Sequence, residues 1–244
     1  MTKRNAVPCF ARINVESAKF APEYQADIVL QSFLLLSSRN NQHIVRKIVS
    51  MSDLAPVVLF TYKRLAVTKR VVDSLLANKE CRSSRLIVYS DGPKNGNDEE
   101  TVEEVRAYLK TIVGFEQIEY IYRERNLGLA QSFIGGITET LARYEKAIFL
   151  EDDNLLSEHF LSFMNKALVH YESNPRVICI TGYSWPIWPK QKTPYFIRGA
   201  ETWTMGTWRR GGGNFNADGM ALLREIDQGK LNGRFSQDGF GFHK

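Results

Sequence analysis

The sequence predicts an α/β protein with a mostly parallel sheet and helices on both faces. Between residues 57 and 180, short apolar runs alternate with longer segments whose apolar residues recur every three or four positions. Consecutive strand–helix–strand units of this kind pair in parallel through right-handed crossovers. Polar residues follow each apolar run at once, which is typical of the ligand-binding edge of such a sheet.

Five strands and four helices make up this regular part, and each helix presents one apolar stripe to the sheet. The clearest stripe is Val67, Val71, Val72 and Leu75, directly after the first strand. Before the second helix, Asn97 and Glu100 resemble a capping box. The predicted strands are 57–61, 86–89, 118–122, 147–150 and 177–180, and the predicted helices lie around 67–76, 100–112, 129–141 and 157–171.

The chain divides into three predicted parts. Residues 1–50 carry seven Lys or Arg against three Asp or Glu and no clear period, which predicts an uncertain or flexible N-terminal extension, with Met51 as an alternative start. Residues 51–182 form the α/β core. Residues 183–244 are rich in Trp, Pro and Gly, and we expect a small, truncated lobe with strands at 195–198 and 203–205 and a helix at 217–226.

Composition and charge exclude several classes of protein. Three scattered cysteines without a Cys-x-x-Cys motif indicate reduced core thiols and a cytoplasmic protein, not a disulfide framework or a metal site. Residues 51–244 hold 25 basic against 24 acidic residues and no basic, aromatic stripe, so we expect no nucleic-acid partner. No apolar run reaches the ~20 residues of a membrane span, so we predict no transmembrane segment.

The most informative stretch is KAIFLEDDN at residues 146–154. Its apolar residues predict a strand buried on both faces, and Glu151, Asp152 and Asp153 follow at the strand's end. Carboxylates are costly to bury unless they are paired or bound to a cation, so we expect them in an open crevice. Hard oxygen ligands suit Mg²⁺ or Mn²⁺ bound together with substrate phosphates. The alternative is an acidic strand-to-helix turn in which Asp153 or Asn154 lies near the helix start.

Other polar side chains follow the neighbouring strands and can converge on the same crevice. A carboxylate there can accept hydrogen bonds from a base or a ribose, and an arginine can neutralise phosphate. The helix near Leu129 directs free N–H groups to the same edge, which favours an anion. Taken one at a time, the charged residues of this set are better explained as solvated loop charges. The set consists of Thr61, Arg64, Asp91, Arg125 and Asn126.

Four segments occur in the order LFTYKR (59–64), YSDGP (89–93), RNLGLAQS (125–132) and IFLEDDNLLSEHFLSFM (148–164). Together they resemble a nucleotide-sugar-dependent glycosyltransferase of the Rossmann-like GT-A fold. The likeness is to the bacterial family 2 type, and to the eukaryotic Golgi N-acetylglucosaminyltransferase whose metal motif is also EDD. The segment RGAETWTMGTWRR (198–210) resembles the Trp-rich acceptor-side segment of such enzymes.

On the donor side, the resemblance implies a role for each matching position. Thr61, Arg64 and Arg125 would belong to the nucleotide-sugar pocket. Asp91 would face the uracil or its equivalent, and Asn126 and its neighbours would approach the ribose and the diphosphate. The implied donor is a nucleoside diphosphate sugar, with a UDP-sugar favoured.

The resemblance also implies a metal ion and an acceptor side. Asp153 would bind Mn²⁺ or Mg²⁺ as the cofactor, while Asp152 and Glu151 would contact the sugar or the ribose. Trp203 would help form the acceptor wall. An inverting enzyme needs a carboxylate base to deprotonate the acceptor hydroxyl, and the candidates after the Trp-rich segment are Asp218, Glu225, Asp227 and Asp238. No pattern singles one out, and we select Asp238 in FSQDGF because an acidic residue is expected there.

The implied reaction is metal-dependent transfer of a sugar to a hydroxyl of a glycan or a lipid-linked acceptor. The expected setting is surface-glycan synthesis by a cytoplasmic protein that associates peripherally with the inner face of the membrane. Two alternatives stay open. One is a non-catalytic, truncated remnant that binds nucleotide sugar without transfer. The other is a sugar-1-phosphate nucleotidyltransferase, which is disfavoured because FTYKRLAV (60–67) lacks the glycine-rich loop expected after the first strand.

Overall fold

The computed structural model describes residues 9–12, 54–183, 194–197 and 202–231 of the 244-residue chain. Their strands form one eight-stranded sheet in the order β4-β3-β2-β5-β8-β6-β1-β7. The strands are β1 (Cys9–Arg12), β2 (Val57–Thr61), β3 (Arg85–Ser90), β4 (Gln117–Tyr122), β5 (Lys146–Glu151), β6 (Val177–Thr181), β7 (Tyr195–Ile197) and β8 (Met205–Trp208).

Helices connect most of the strands. Four of them occupy the predicted crossovers, and two shorter segments follow β8. The helices are α1 (Leu65–Leu76), α2 (Glu99–Leu109), α3 (Leu129–Arg143), α4 (Phe160–His170), α5 (Arg209–Gly212) and α6 (Gly219–Gln228). Two 3₁₀ turns, Lys79–Ser83 and Gly96–Asp98, precede β3 and α2.

The core has two layers because successive strand residues point to opposite faces of the sheet. On one face, Val57 and Leu59 pack in a cluster with apolar residues of α1, α2 and α4. On the other face, Val58 and Phe60 pack with residues of α3. These side chains are at most 6% exposed, and burial of each contributes roughly 1.5–3 kcal/mol. The prediction of helices on both faces is confirmed.

The sheet reverses its direction of growth at β2. The chain runs from β2 to β3 and β4 on one side, and then crosses to β5 on the other side of β2. The pairs β2–β3, β3–β4 and β2–β5 are all parallel, as the sequence predicts. Such a reversal opens a crevice at the carboxyl ends of the strands, where ligands bind in open α/β sheets.

The outer half of the sheet differs from the prediction. β8 lies between β5 and β6 and is antiparallel to both, so the fifth predicted strand does not pair with the fourth. The predicted strand at 203–205 is thus shifted to Met205–Trp208, and this part of the Trp-rich region belongs to the main sheet. The backbone of Cys9–Arg12 also adds a strand beside β6, which the sequence did not predict.

The start of α2 corrects a second local expectation. The predicted capping box of Asn97 and Glu100 is wrong, because the residue at the N-cap position is Asp98. The side chain of Asp98 makes no capping bond there. Asn95 instead accepts a hydrogen bond from the N–H of Asn97, which stabilises the preceding 3₁₀ turn.

Candidate active site

A cavity of about 410 Å³ lies at the carboxyl ends of β2, β3 and β5. Register places these ends side by side, since Thr61 pairs with Ser90 and Phe60 pairs with Glu151. Most of the sequence-predicted donor-side residues therefore meet at one place. Those that line the cavity are Thr61, Arg64, Asp91, Asn126, Glu151, Asp152 and Asp153.

The acidic end of β5 forms one wall of the cavity. Asp152 is buried with 5% of its surface exposed, whereas the side chain of Asp153 is 43% exposed. The Arg64 guanidinium donates from Nη2 to Asp152 Oδ1, and to Asp153 Oδ2 at 3.1 Å. α4 begins only at Phe160, so neither Asp153 nor Asn154 caps it, and the alternative of an acidic turn at the helix start is not supported.

For two carboxyl groups of this wall, the cost of burial is not fully offset by hydrogen bonds or by opposite charges. Asp152 Oδ2 is buried and has no hydrogen-bond partner among the described residues. Glu151 is half-buried, and burial raises its pKa above the ordinary range, with the nearby Asp153 and Asp152 charges adding to the effect. This wall of the cavity is therefore electronegative, and it holds one buried oxygen that has no hydrogen-bond partner among the described residues.

Asp91 organises the opposite wall rather than standing free. The residue is 7% exposed, and its carboxylate accepts backbone hydrogen bonds from Gly92 (3.0 Å), Leu127 (2.9 Å) and Gly128 (3.0 Å). Asn126 also donates from Nδ2 to the Gly92 carbonyl at 3.0 Å. The loop after β3 is therefore joined to the turn before α3 both by the Asp91 carboxylate and by the Asn126 side chain. The turn that precedes α3 is thus fixed at the edge of the cavity.

Glycines make that junction sterically feasible. A Cβ on Gly92 would lie 2.6 Å from the carbonyl carbon of Arg125, so only glycine lets the two loops approach this closely. Gly128, with φ of +78°, turns the chain into α3 in a conformation that favours glycine. The first-turn N–H groups of α3 therefore begin at the cavity, where an anion would be stabilised.

A second tie holds the loop between β2 and α1. Asp98 accepts a 2.6 Å hydrogen bond from the Tyr62 hydroxyl and a 2.6 Å ion pair from Lys63 Nζ. The Lys63 bond and then the Tyr62 bond hold the pKa of Asp98 below its ordinary value. Because Tyr62 and Lys63 both line the cavity, Asp98 fixes residues of the site without lining it.

Aromatic rings form the floor, which sequence reasoning missed. Phe60 stacks on Tyr89 with ring centroids 5.3 Å apart, and Phe133 lies 4.6 Å from Phe60 on the α3 side. The Arg123 guanidinium lies over the Tyr89 ring at 5.4 Å. Strand alternation could have indicated that Phe60 and Tyr89 share a face, but it could not indicate that this face opens on a cavity.

Two sequence-predicted site residues do not line this cavity. Arg125 is not among the cavity-lining residues, and Arg123 occupies the cavity wall in its place. Trp203 is 43% exposed and packs edge-on against Tyr183 with centroids 4.9 Å apart, in the loop before β8. Asp238 lies outside the described residues.

No three His, Cys, Asp or Glu side chains among residues 54–183, 194–197 and 202–231 converge as a complete protein metal centre. The donor set that is present, Asp152 Oδ2 and the exposed Asp153 carboxylate, fits a cation held by one or two carboxylates together with ligand phosphates. Every helix in the described residues falls short of the length and apolar character that a bilayer crossing requires.

Comparison with solved structures gives distant likenesses. A mannosyltransferase from Pyrobaculum calidifontis, in complex with GDP-Man and Mn²⁺, is 13% identical over 66% of this chain and 43% of its own, with a TM-score of 0.42. The 4-diphosphocytidyl-2C-methyl-D-erythritol synthase from Anaerococcus prevotii is 13% identical over 73% of this chain and 85% of its own, with a TM-score of 0.39. The chain thus spans less than half the length of that mannosyltransferase. No curated protein matches the present chain.

The family is decided by the sequence itself. The model of glycosyl transferase family 2 matches residues 57–226, which is more than half of the chain. The match runs from β2 into α6 and includes every cavity-lining residue described above. This chain therefore belongs to glycosyl transferase family 2.

Proposed function

We propose that the protein transfers a sugar from a nucleoside diphosphate sugar to a hydroxyl acceptor with the help of a divalent cation. The single observation that carries the proposal is the cavity in which Arg64, Asp152 and Asp153 meet the turn held by Asp91. Cationic, anionic and aromatic surfaces thereby face one space, as a charged phosphate donor with a planar base requires.

The chain's own groups divide the work on the donor. Tyr62 lines the cavity and is only partly buried, so it offers planar surface to the base. The fixed turn before α3 offers backbone N–H groups to the diphosphate. Arg64 can bind phosphate oxygens in a bidentate manner. These groups stabilise negative charge on the leaving diphosphate, which is where charge develops in the transition state.

We assign the cation to Asp153, with Asp152 Oδ2 beside it, as Mn²⁺ or Mg²⁺. When bound, it would supply a further positive charge to the departing diphosphate. The support is the chemistry of the donor set: one oxygen is buried and unpartnered, and one carboxylate is exposed toward the cavity.

The acceptor side stays a proposal that rests on sequence. We retain residues 183–244 as the acceptor side, with Trp203 as part of its wall and Asp238 as the base. A glycan or lipid-linked acceptor at the cytoplasmic face of a membrane suits the implied chemistry, and UDP is the first nucleotide to test.

Titration of UDP and GDP with and without Mn²⁺, followed by assays of donor hydrolysis and transfer, tests the proposal. We expect cation-dependent binding and turnover, and we expect Asp153→Ala to abolish both. Glu158→Gln is a matched control, because it alters an exposed carboxylate five residues along the same loop. Turnover by the Asp153 variant at the wild-type rate would refute the assignment, and binding without turnover would support the non-catalytic alternative.

A further inference from the structure

Arg64 bonds one oxygen of each carboxylate that we assign to the cation. Its Nη2 bonds both Asp152 Oδ1 and Asp153 Oδ2, and its side chain is 49% exposed on the cavity side of the acidic pair. The guanidinium uses two of the four oxygens of this carboxylate pair, and its positive charge repels a divalent ion that approaches them. Binding of the ion is therefore opposed while Arg64 stays in this position.

The guanidinium leaves the acidic wall only partly neutralised. It carries one positive charge, whereas Glu151, Asp152 and Asp153 are three adjacent carboxyl groups. Asp152 Oδ2 remains buried and without a partner among the described residues. A buried carboxylate oxygen without a hydrogen bond is costly, so the wall retains affinity for a cation of higher charge.

The neighbouring cationic side chains of the cavity already have other partners. Lys63 pairs with Asp98 at 2.6 Å, and Arg123 pairs with Glu139 at 2.6 Å. Arg64 differs from them, because its partners are the proposed cation ligands themselves. A diphosphate offers pairs of oxygen atoms that a guanidinium can bind in a bidentate manner, at least as well as it binds the oxygens of a carboxylate.

We propose that Arg64 is a specificity-determining residue that makes cation binding at Asp152 and Asp153 conditional on a diphosphate. In the free protein its guanidinium holds the two carboxylates, and it transfers to the diphosphate when the nucleotide binds. This inference rests on the proposed function. It implies that the cation alone binds weakly, that a diphosphate strengthens cation binding, and that the cation strengthens diphosphate binding by the same factor.

Calorimetric titration of Mn²⁺ alone tests the first implication directly. We expect Arg64→Met to bind Mn²⁺ at least 10-fold more tightly than the wild type, because the competing guanidinium is gone. Arg70→Met is the matched control, since it removes an exposed arginine from α1, the helix that begins directly after Arg64, and should leave Mn²⁺ affinity unchanged. Equal or weaker Mn²⁺ binding by Arg64→Met than by the wild type, with an unaltered unfolding midpoint, would overturn the inference.

Repeating the titration in saturating UDP, GDP or uridine tests the second implication. We expect a diphosphate to raise wild-type Mn²⁺ affinity at least 10-fold, uridine to leave it unchanged, and Arg64→Met to lose most of the gain. A wild-type gain that persists in Arg64→Met would overturn the inference. If neither nucleotide binds the wild type, the proposed function fails, while the comparison with Mn²⁺ alone still decides whether Arg64 blocks the cation site.

Discussion

Replacing Asp91 with Asn tests the junction that fixes one wall of the cavity. Each Asp91 oxygen accepts from two backbone N–H groups: Oδ1 from Gly92 and Leu127, and Oδ2 from Leu127 and Gly128. Whichever oxygen becomes the amide nitrogen will therefore face two donors. Since a hydrogen bond to a charged group contributes about 1.5–3 kcal/mol, losing one or two of them should cost about 1.5–6 kcal/mol of unfolding free energy. At about 2–4 °C for each kcal/mol, the melting temperature should fall by about 3–24 °C.

Urea unfolding and thermal melting measure this loss, and amide hydrogen exchange at Leu127 and Gly128 locates it. We expect faster exchange at those two amides and weaker nucleotide binding, because the turn before α3 is released. Asp73→Asn is the control, since it makes the same chemical change at an exposed position of α1 and should stay within about 0.5 kcal/mol of the wild type. The reasoning is refuted if Asp91→Asn unfolds like Asp73→Asn or leaves exchange at both amides unchanged.

Two further predictions concern the polar contacts of Arg210 and of Asp98. Arg210 donates to the carbonyls of Tyr171 (2.9 Å) and Val177 (2.7 Å), and its guanidinium lies 4.2 Å from the centre of the Trp208 ring. Arg210→Met should therefore lower the free energy of unfolding in urea by about 2–4 kcal/mol. A urea midpoint equal to that of Arg70→Met would contradict this prediction. Asp98 has a pKa below its ordinary 3.8, so its contribution to stability is present above that pH and is lost as the pH falls further. Asp98→Asn should therefore be less stable than the wild type at pH 6, with the difference shrinking below pH ~3.8; a constant difference would count against the assignment.

The sequence predicts the inner sheet well, because burial on both faces leaves continuous apolar runs. β5 and the α3 stripe lie within a few residues of their predicted positions for this reason. β8 was misplaced because the four residues MGTW carry no extended run, and their position between β5 and β6 depends on pairing with distant strands. The pairing of Cys9–Arg12 with β6 was missed for the same reason.

The candidate site was predictable wherever a residue directly follows a strand. The carboxyl ends of parallel strands meet, so Arg64, Asp91 and the acidic residues after β5 could be grouped from their order alone. Arg123, which the sequence did not single out, lines the cavity, whereas Arg125 does not, and this shows the limit of such reasoning. The two lie two residues apart, and the direction of the turn depends on backbone bonds to Asp91 that no local pattern indicates.

Asp98 shows how a site can override a local rule. It stands at the N-cap of α2, where an aspartate normally accepts a backbone hydrogen bond, yet both its oxygens accept from Tyr62 and Lys63 instead. Glu99 and Glu100 in the first turn partly compensate through the helix dipole. The two bonds to Asp98 fix the cavity-lining residues Tyr62 and Lys63 before any ligand binds. A loop that is already ordered loses less entropy on binding. Because Asp98 bonds this loop and not the first turn of α2, it favours nucleotide affinity at the expense of helix stability.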